Sequence, residues 1–463
     1  MHNKKSYIWG FINTFSTQGI YLLTNIVLAH FLTPQEFGII GVLTIFISLS
    51  TVLTDSGMGG SLIKEQDITK DDISTVFTFN LSISIVLYLI IFFCANIIEH
   101  FYSINGLATI TRILCIILII NAFQFVQKSI LYKKLCFKKV AVISTLSISV
   151  ASIVAFITCY FQWGVYSLVA FQITNSLIQT VLYSYNSRHL YDIKFIPASF
   201  KKLFSFGAFT TLSSIVDSIY ENILSVLFGK FLGVKSVGFY DQAKKLENGS
   251  AYSLVTTINT VSFPILAKCA DKHEFLKKEA DSIFSTWLFI SIPLLGIIAL
   301  YSEFVVVLLF GNKWIGTSPY LSLLMVNGII YIAESIIRNN IKSLGEVKQL
   351  SIITLFKRIL GIGIILSFIL ISSYAMLYGL LLSTFLGFII NSIFYCKIIK
   401  DSFIKFFLNC VKCTLIPIVF LFILYILREW IDILGIKLIS SGFLLIVYFT
   451  VAFFKLKRQI DIH

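Results

Sequence analysis

Residues 74–98 read STVFTFNLSISIVLYLIIFFCANII, 25 consecutive positions without a charged side chain. The hydrocarbon core of a bilayer takes about 20 helical residues to cross. A run of this length and composition predicts a membrane-spanning helix. Runs of the same kind recur along the whole chain. They predict fourteen helices, at Tyr7–Phe31, Phe37–Ile63, Ser74–Ile98, Leu107–Gln127, Val140–Phe161 and Trp163–Tyr185, then Leu203–Gly229, Gly238–Ala267, Ile283–Phe310, Pro319–Ile337, Leu350–Ile371 and Tyr374–Cys396, with a last pair at Leu408–Leu427 and Leu438–Phe454. The expected fold class is therefore all-α, a polytopic membrane protein.

The composition agrees. Of 463 residues, 57% are apolar and only 13% charged, 44 are Phe, and mean hydropathy is +0.89. Soluble domains carry about 25% charge, so a cytosolic enzyme, a nucleic-acid binder and a disordered chain are all excluded. The opening residues Met1 to Lys5 lead into an apolar run too long for a signal peptide, which reads as a first, uncleaved span. The eight cysteines are scattered and imply no disulfide framework. Cys410 and Cys413 form a lone CxxC without a second pair, and no metal or cofactor is expected.

The net charge of +14 sorts by side. If the N-terminus is cytoplasmic and the spans alternate, 26 Lys and Arg residues fall in inside segments and five outside: Lys230, Lys235, Lys313, Arg428 and Lys437. Lys and Arg accumulate on the cytoplasmic side, so an even number of spans with both termini inside is expected. The longest outer loop is expected at Ser302 to Ser318. That is short for a membrane polysaccharide polymerase or ligase, which needs a catalytic domain on the outer face.

An internal repeat is visible. His30-Phe31-Leu32-Thr33-Pro34-Gln35-Glu36-Phe37-Gly38 aligns with Lys230-Phe231-Leu232-Gly233-Val234-Lys235-Ser236-Val237-Gly238 at an offset of 200. Ser61 to Lys64 parallels Pro264 to Lys268, and the basic loop Lys128–Lys139 parallels Arg338–Lys348. The repeat predicts two six-helix lobes, 1–186 and 203–400, joined by a cytoplasmic linker at 187–202 and followed by spans thirteen and fourteen with a tail in 401–463. Such repeats characterise transporters, with the substrate site between the halves.

Four stretches resemble a known family. They are Phe37-Gly38-Ile39-Ile40-Gly41 running on to Asp55-Ser56-Gly57-Met58-Gly59-Gly60-Ser61-Leu62-Ile63-Lys64, then Val237-Gly238-Phe239-Tyr240-Asp241-Gln242-Ala243-Lys244-Lys245-Leu246, Phe263 to Lys268, and Leu309-Phe310-Gly311-Asn312-Lys313-Trp314. In this order they resemble the polysaccharide transporters of the multidrug/oligosaccharidyl-lipid/polysaccharide flippase superfamily, such as the O-antigen, colanic-acid and teichuronic-acid exporters. The resemblance implies a flippase for undecaprenyl-diphosphate-linked oligosaccharide, working by alternating access in a bacterial cytoplasmic (inner) membrane. It implies membrane lipid, a coupling proton or sodium ion, and polysaccharide polymerase or assembly machinery as partners, and no nucleic acid. A multidrug antiporter and a peptidoglycan-precursor flippase are the neighbouring readings.

Ionisable side chains inside spans are costly and tend to face a cavity. Arg112, Lys244, Lys245, Lys357 and Arg358, with Arg338 in reserve, are candidates for the diphosphate, because cationic side chains suit phosphate oxygens and Arg does so bidentately. Snorkelling to nearby headgroups is the alternative. Asp217, Glu221, Glu334 and Asp55 are the ion-coupling candidates. Asp217 and Glu221 share a helix face and could share a proton, or Glu221 could pair with Lys245. Asp55, beside small residues, suits helix packing. Aromatics at span ends (Tyr7, Trp9, Trp163, Tyr301, Trp314, Trp430) read as interface anchors. No GxxxxGK[ST] is present, which argues against ATP hydrolysis.

Overall fold

A computed structural model of the chain describes residues 2–186, 192–268, 273–372 and 374–430, together with Tyr448. Every regular element among them is helical. Ten segments are long and apolar enough to cross a membrane, which makes this a multi-pass membrane protein. Predicted spans one and seven carry many polar residues, among them Asn13, Thr17, Gln18 and Asn25 in the first, and are not among the ten; predicted span eight is not continuous, since a π-helical turn at Asn248–Tyr252 divides it into helices of 14 and 16 residues. The fourteenth predicted span lies outside the described residues apart from Tyr448.

The chain packs as two compact units, Met1–Gln242 with Leu309–Trp314, and Ala243–Leu308 with Ile315–His463. The first contains α1 (His2–Phe31), α2 (Pro34–Asp55), α3 (Met58–Lys64), α4 (Lys70–Tyr102), α5 (Leu107–Leu114), α6 (Ile117–Lys133), α7 (Phe137–Tyr160), α8 (Val165–Asn186), α9 (Pro197–Phe231) and most of α10 (Val234–Glu247). α1 packs on α7, α7 on α8, α2 on α9 and α4 on α6. Met58, Leu62, Val76, Phe77, Val126, Ile130 and Leu203 form one of its apolar cores.

Predicted span two is not continuous. The chain turns at Ser56 (φ 45°) and Gly57 (φ 66°), both left-handed, so α2 ends and α3 begins. A Cβ at Gly57 would stand 2.5 Å from the carbonyl oxygen of Gly207 on α9, and Ser61 Oγ donates to the Leu203 carbonyl at 2.8 Å. The break lets the second arm press against α9. Span four is likewise interrupted at Cys115–Ile116, where bonds tighten to the i→i−3 type.

The repeat has a structural counterpart. α2 starts at Pro34 behind a Thr33/Glu36 capping box, and α10 starts at Val234, after Gly233 at φ 81°. A Cβ placed on Gly38 would lie 1.9 Å from the Val234 carbonyl oxygen, and one on Gly238 would lie 1.9 Å from the Pro34 carbonyl oxygen. Residues separated by 200 in sequence exchange contacts reciprocally, the signature of a local two-fold relation. Only glycine permits two helix backbones this close, and the approach suits Cα–H···O contacts.

The sequence places Leu309–Trp314 in or beside an open outer loop. Instead Ser302–Phe310 is helix α13 and Asn312–Thr317 a 3₁₀ turn. Trp314 is fully buried, which corrects its reading as an interface anchor; Tyr301 is buried as well. The Thr33 amide bonds Glu36 rather than continuing α1, so the last carbonyls of α1 need other donors. Trp314 Nε1 donates to the Ala29 carbonyl at 2.8 Å, and Lys313 Nζ to that of His30 at 2.8 Å. The Trp314 ring meets Phe37 edge-on at 5.3 Å. Trp314→Phe keeps the ring contacts and orphans a buried carbonyl, so a loss of about 1–3 kcal/mol is expected in thermal unfolding. Trp314→His, which can restore a donor, should recover part of it.

The second unit contains a π-helical turn (Asn248–Tyr252), α11 (Ser253–Lys268), α12 (His273–Leu300), α14 (Ser318–Ser343), α15 (Val347–Phe368), α16 (Ala375–Ile399) and α17 (Phe403–Trp430). α14 is its centre, flanked by α11, α12 and α16. α17 lies on α12, where Arg428 donates to the Leu300 carbonyl at 2.5 Å. At the α16–α17 turn Lys277 bonds Asp401, and this bond holds the Asp401 carboxyl below the usual carboxylate range.

Candidate functional site

α14 carries Tyr331, Glu334 and Arg338 at spacings of three and four, which puts them on one face. α15 brings Lys357 and Arg358, and α16 brings Asn391. Glu334 and Lys357, 6% and 9% exposed, form a buried ion pair. Asn391 Nδ2 donates a second hydrogen bond to Glu334 at 3.0 Å. Gly387 makes room for the pair: a Cβ there would stand 3.4 Å from Glu334 Oε2 and 3.6 Å from Lys357 Cδ.

One turn along α14, Arg338 donates to the Tyr331 hydroxyl at 3.2 Å and lies over its ring at 5.3 Å. The Tyr331 ring in turn meets Tyr252 at 4.8 Å. Arg338 Nε is buried without an acceptor. Arg338 and Arg358 both act electrostatically on Lys357, and Arg358 acts on Arg338 as well. Lys357 and Arg338 both feel the Glu334 carboxylate, and its ion pair is with Lys357. With Glu334 and Lys357 paired, Arg338 adds a positive charge on the same face of α14.

The other candidates are held differently. Arg112 in α5 donates to the Phe92 carbonyl (3.3 Å) and to Asn96 Oδ1 (3.1 Å), with its guanidinium over the Phe92 ring at 4.9 Å. It ties α5 to α4. Asp55 Oδ1 accepts the Gly59 amide at 3.1 Å and caps α3, with Lys128 of α6 as its charged neighbour. Lys128 is invisible to the sequence reading because α6 runs on to Lys133, past the predicted end at Gln127. Asp217 is half-buried and Glu221 exposed on α9. Lys244 and Lys245 end α10, half-buried, and Lys244 acts electrostatically on Glu247. Asn391 and Tyr331 are additions of the structure, although an amide at the centre of an apolar run is a usable signal. Among the described residues no group of His, Cys, Asp and Glu could hold a metal ion.

The family model described as polysaccharide biosynthesis protein matches residues 27–319. The chain belongs to that family. It is 26% identical to the lipopolysaccharide biosynthesis protein WzxC of Escherichia coli K12 over 325 residues, 70% of this chain and 66% of that one. It is 25% identical to the teichuronic acid biosynthesis protein TuaB of Bacillus subtilis 168 over 329 residues, 70% of this chain and 67% of that one. The alignments thus span about two thirds of these relatives' length. The structure of the lipid II flippase MurJ in an inward closed conformation superimposes with a TM-score of 0.75 at 16% identity, covering 97% of this chain and 99% of that one. The polysaccharide biosynthesis family and the MurJ-like fold agree with the resemblance in the motif stretches.

Proposed function

We propose that the protein is a flippase that carries undecaprenyl-diphosphate-linked oligosaccharide, an O-antigen or exopolysaccharide repeat unit, from the cytoplasmic to the outer leaflet. It works by alternating access of the six-span lobes 1–186 and 203–400, with 401–463 peripheral. It sits in the bacterial inner membrane with both termini cytoplasmic and delivers to polysaccharide assembly machinery. The process moves a headgroup and makes or breaks no covalent bond. The relatives' names, which speak of lipopolysaccharide and teichuronic acid biosynthesis, favour this reading.

The observation that carries it is the Arg338 guanidinium, which adds positive charge on α14 beside the Glu334–Lys357 ion pair. A diphosphate needs cationic partners to leave water, and guanidinium groups supply paired hydrogen bonds to its oxygens. Arg338 has an Nε still without an acceptor and a tyrosine that holds its far end. A multidrug antiporter moving organic cations would be repelled by the same cluster. The polar helices α1 and α9, equivalent in the repeat, have the composition of cavity walls.

Deleting the gene should cause lipid-linked oligosaccharide to accumulate on the cytoplasmic leaflet and surface polysaccharide to disappear. Unchanged surface polysaccharide would overturn the proposal. Complementation with Arg338→Ala or Arg358→Ala should lower export by roughly tenfold or more, since a charged hydrogen bond is worth about 1.5–3 kcal/mol. Lysine at either position should rescue only part, because it keeps the charge and loses the fork.

A further inference from the structure

Glu247 is the last residue of α10 and only 3% exposed. It lies outside the set of coupling candidates that the sequence suggests. Among the described residues its carboxylate receives one side-chain hydrogen bond, from Asn327 Nδ2 of α14 at 3.1 Å. Asn327 is itself 5% exposed, and its Oδ1 is buried with no hydrogen-bond partner. A carboxylate and an amide oxygen are thus held together in the apolar interior of the second unit, and both are acceptors. An acceptor pair of this kind lacks a positively charged or protic group between its members, and leaving a buried acceptor unmet costs about 1–3 kcal/mol.

The local backbone is unusual at this point. Immediately after Glu247 the helix widens into the π-helical turn Asn248–Tyr252, which packs on α11, α12 and α14. π-turns inside helices concentrate at functional sites. The walls are tight: a Cβ at Gly328, next to Asn327, would stand 2.6 Å from Ala251 Cβ. Leu295 on α12 and Met325 on α14 are fully buried there. Ser291, one turn before Leu295 on α12, is a further fully buried hydroxyl without a partner. The charged group acting on Glu247 is Lys244, one turn earlier on α10; none on α11, α12 or α14 does so among the described residues.

We propose that Glu247 and Asn327 form a binding site for a small monovalent cation, a proton or a sodium ion, taken up between the carboxylate and Asn327 Oδ1. A proton converts the carboxylate to an acid whose hydroxyl can donate to Oδ1 while Nδ2 donates to the carbonyl oxygen, so both acceptors are satisfied. A sodium ion does the same as a shared ligand of the two oxygens. Uptake and release would change the charge in the second unit by one. As a coupling site this rests on the flippase reading; as a cation site it does not.

The test uses the purified full-length protein in detergent, wild type against Glu247→Gln. Glutamine reproduces the neutral hydrogen-bonding pattern of the protonated acid. In the proton case the wild-type melting temperature falls as pH rises, by at least about 2–4 °C, and Glu247→Gln does not show that component. In the sodium case the wild type at alkaline pH gains a similar shift in sodium over potassium at equal ionic strength, and Glu247→Gln does not. Asn327→Leu, which removes Oδ1, should weaken either response. A wild type and a Glu247→Gln variant with identical pH and sodium profiles would overturn the site. If the cation response is present while gene deletion leaves surface polysaccharide intact, the site stands and the flippase reading falls.

Discussion

Glu334→Ala is expected to destabilise the protein by about 3–5 kcal/mol, because it strands the Lys357 ammonium in an environment where that side chain is 9% exposed. Lys357→Met should cost less, since Asn391 still donates to the remaining carboxylate. The paired change Glu334→Gln with Lys357→Met should return to within about 1–2 kcal/mol of the wild type, because a buried ion pair roughly balances its own desolvation. Thermal unfolding of the wild type, Glu334→Gln, Lys357→Met and the double variant in one detergent closes the double-mutant cycle, and a coupling energy near zero would contradict the buried pair. The same set separates framework from substrate contact. If Lys357 serves to neutralise Glu334 and hold α14 to α15, the double variant should still export, whereas Arg338→Ala should not.

A Cβ at Gly38 or Gly238 should be almost as damaging. Each alanine methyl would meet a backbone carbonyl oxygen at 1.9 Å, and backbone cannot swing aside as a side chain can. Overpacking costs about 1–3 kcal/mol where side chains can adjust, so roughly 3 kcal/mol is expected at each glycine. The two changes should be less than additive, because either one already forces α2 and α10 apart. Gly19→Ala is the control: no atom lies within 4 Å of the place its Cβ would take, and in a helix the change should be neutral or stabilising by up to about 1 kcal/mol. Melting temperatures and membrane yields of the three variants check this. Equal behaviour of Gly19→Ala and Gly238→Ala would mean that the reciprocal crossing is not tight.

Much of this is legible in the sequence, and particular residues show why. The run at 74–98 can only be a span, since nothing but a helix satisfies its backbone in hydrocarbon. The 200-residue offset between Pro34-to-Gly38 and Val234-to-Gly238 announces a repeat, and the glycines at its end mark the crossing. Lys357, Arg358 and Arg338 stand out because charge inside apolar runs is rare. Other features are hidden. Asp55-Ser56-Gly57 looks like a small-residue packing stretch, and the turn it makes depends on the close approach of Gly207. Trp314 looks like an interface anchor because a tryptophan at a span end usually is one; its burial follows from the unmet carbonyls of α1, nearly 300 residues away.

Local rules acting on the chain alone dictate the solvent this protein folds in, the helical class, the two-fold repeat and the short list of intramembrane charges. Those rules are the length of an apolar run, the distribution of Lys and Arg, and the identity of residues one period apart. Packing decides which groups surround each of those charges. Glu334 pairs with Lys357 beside Arg338, Arg112 bonds from α5 to α4, and Glu247 meets the Asn327 amide. The reason is physical. The energy of a buried charge depends on the few atoms within about 4 Å of it, and in a bundle those atoms come from helices far apart in the chain.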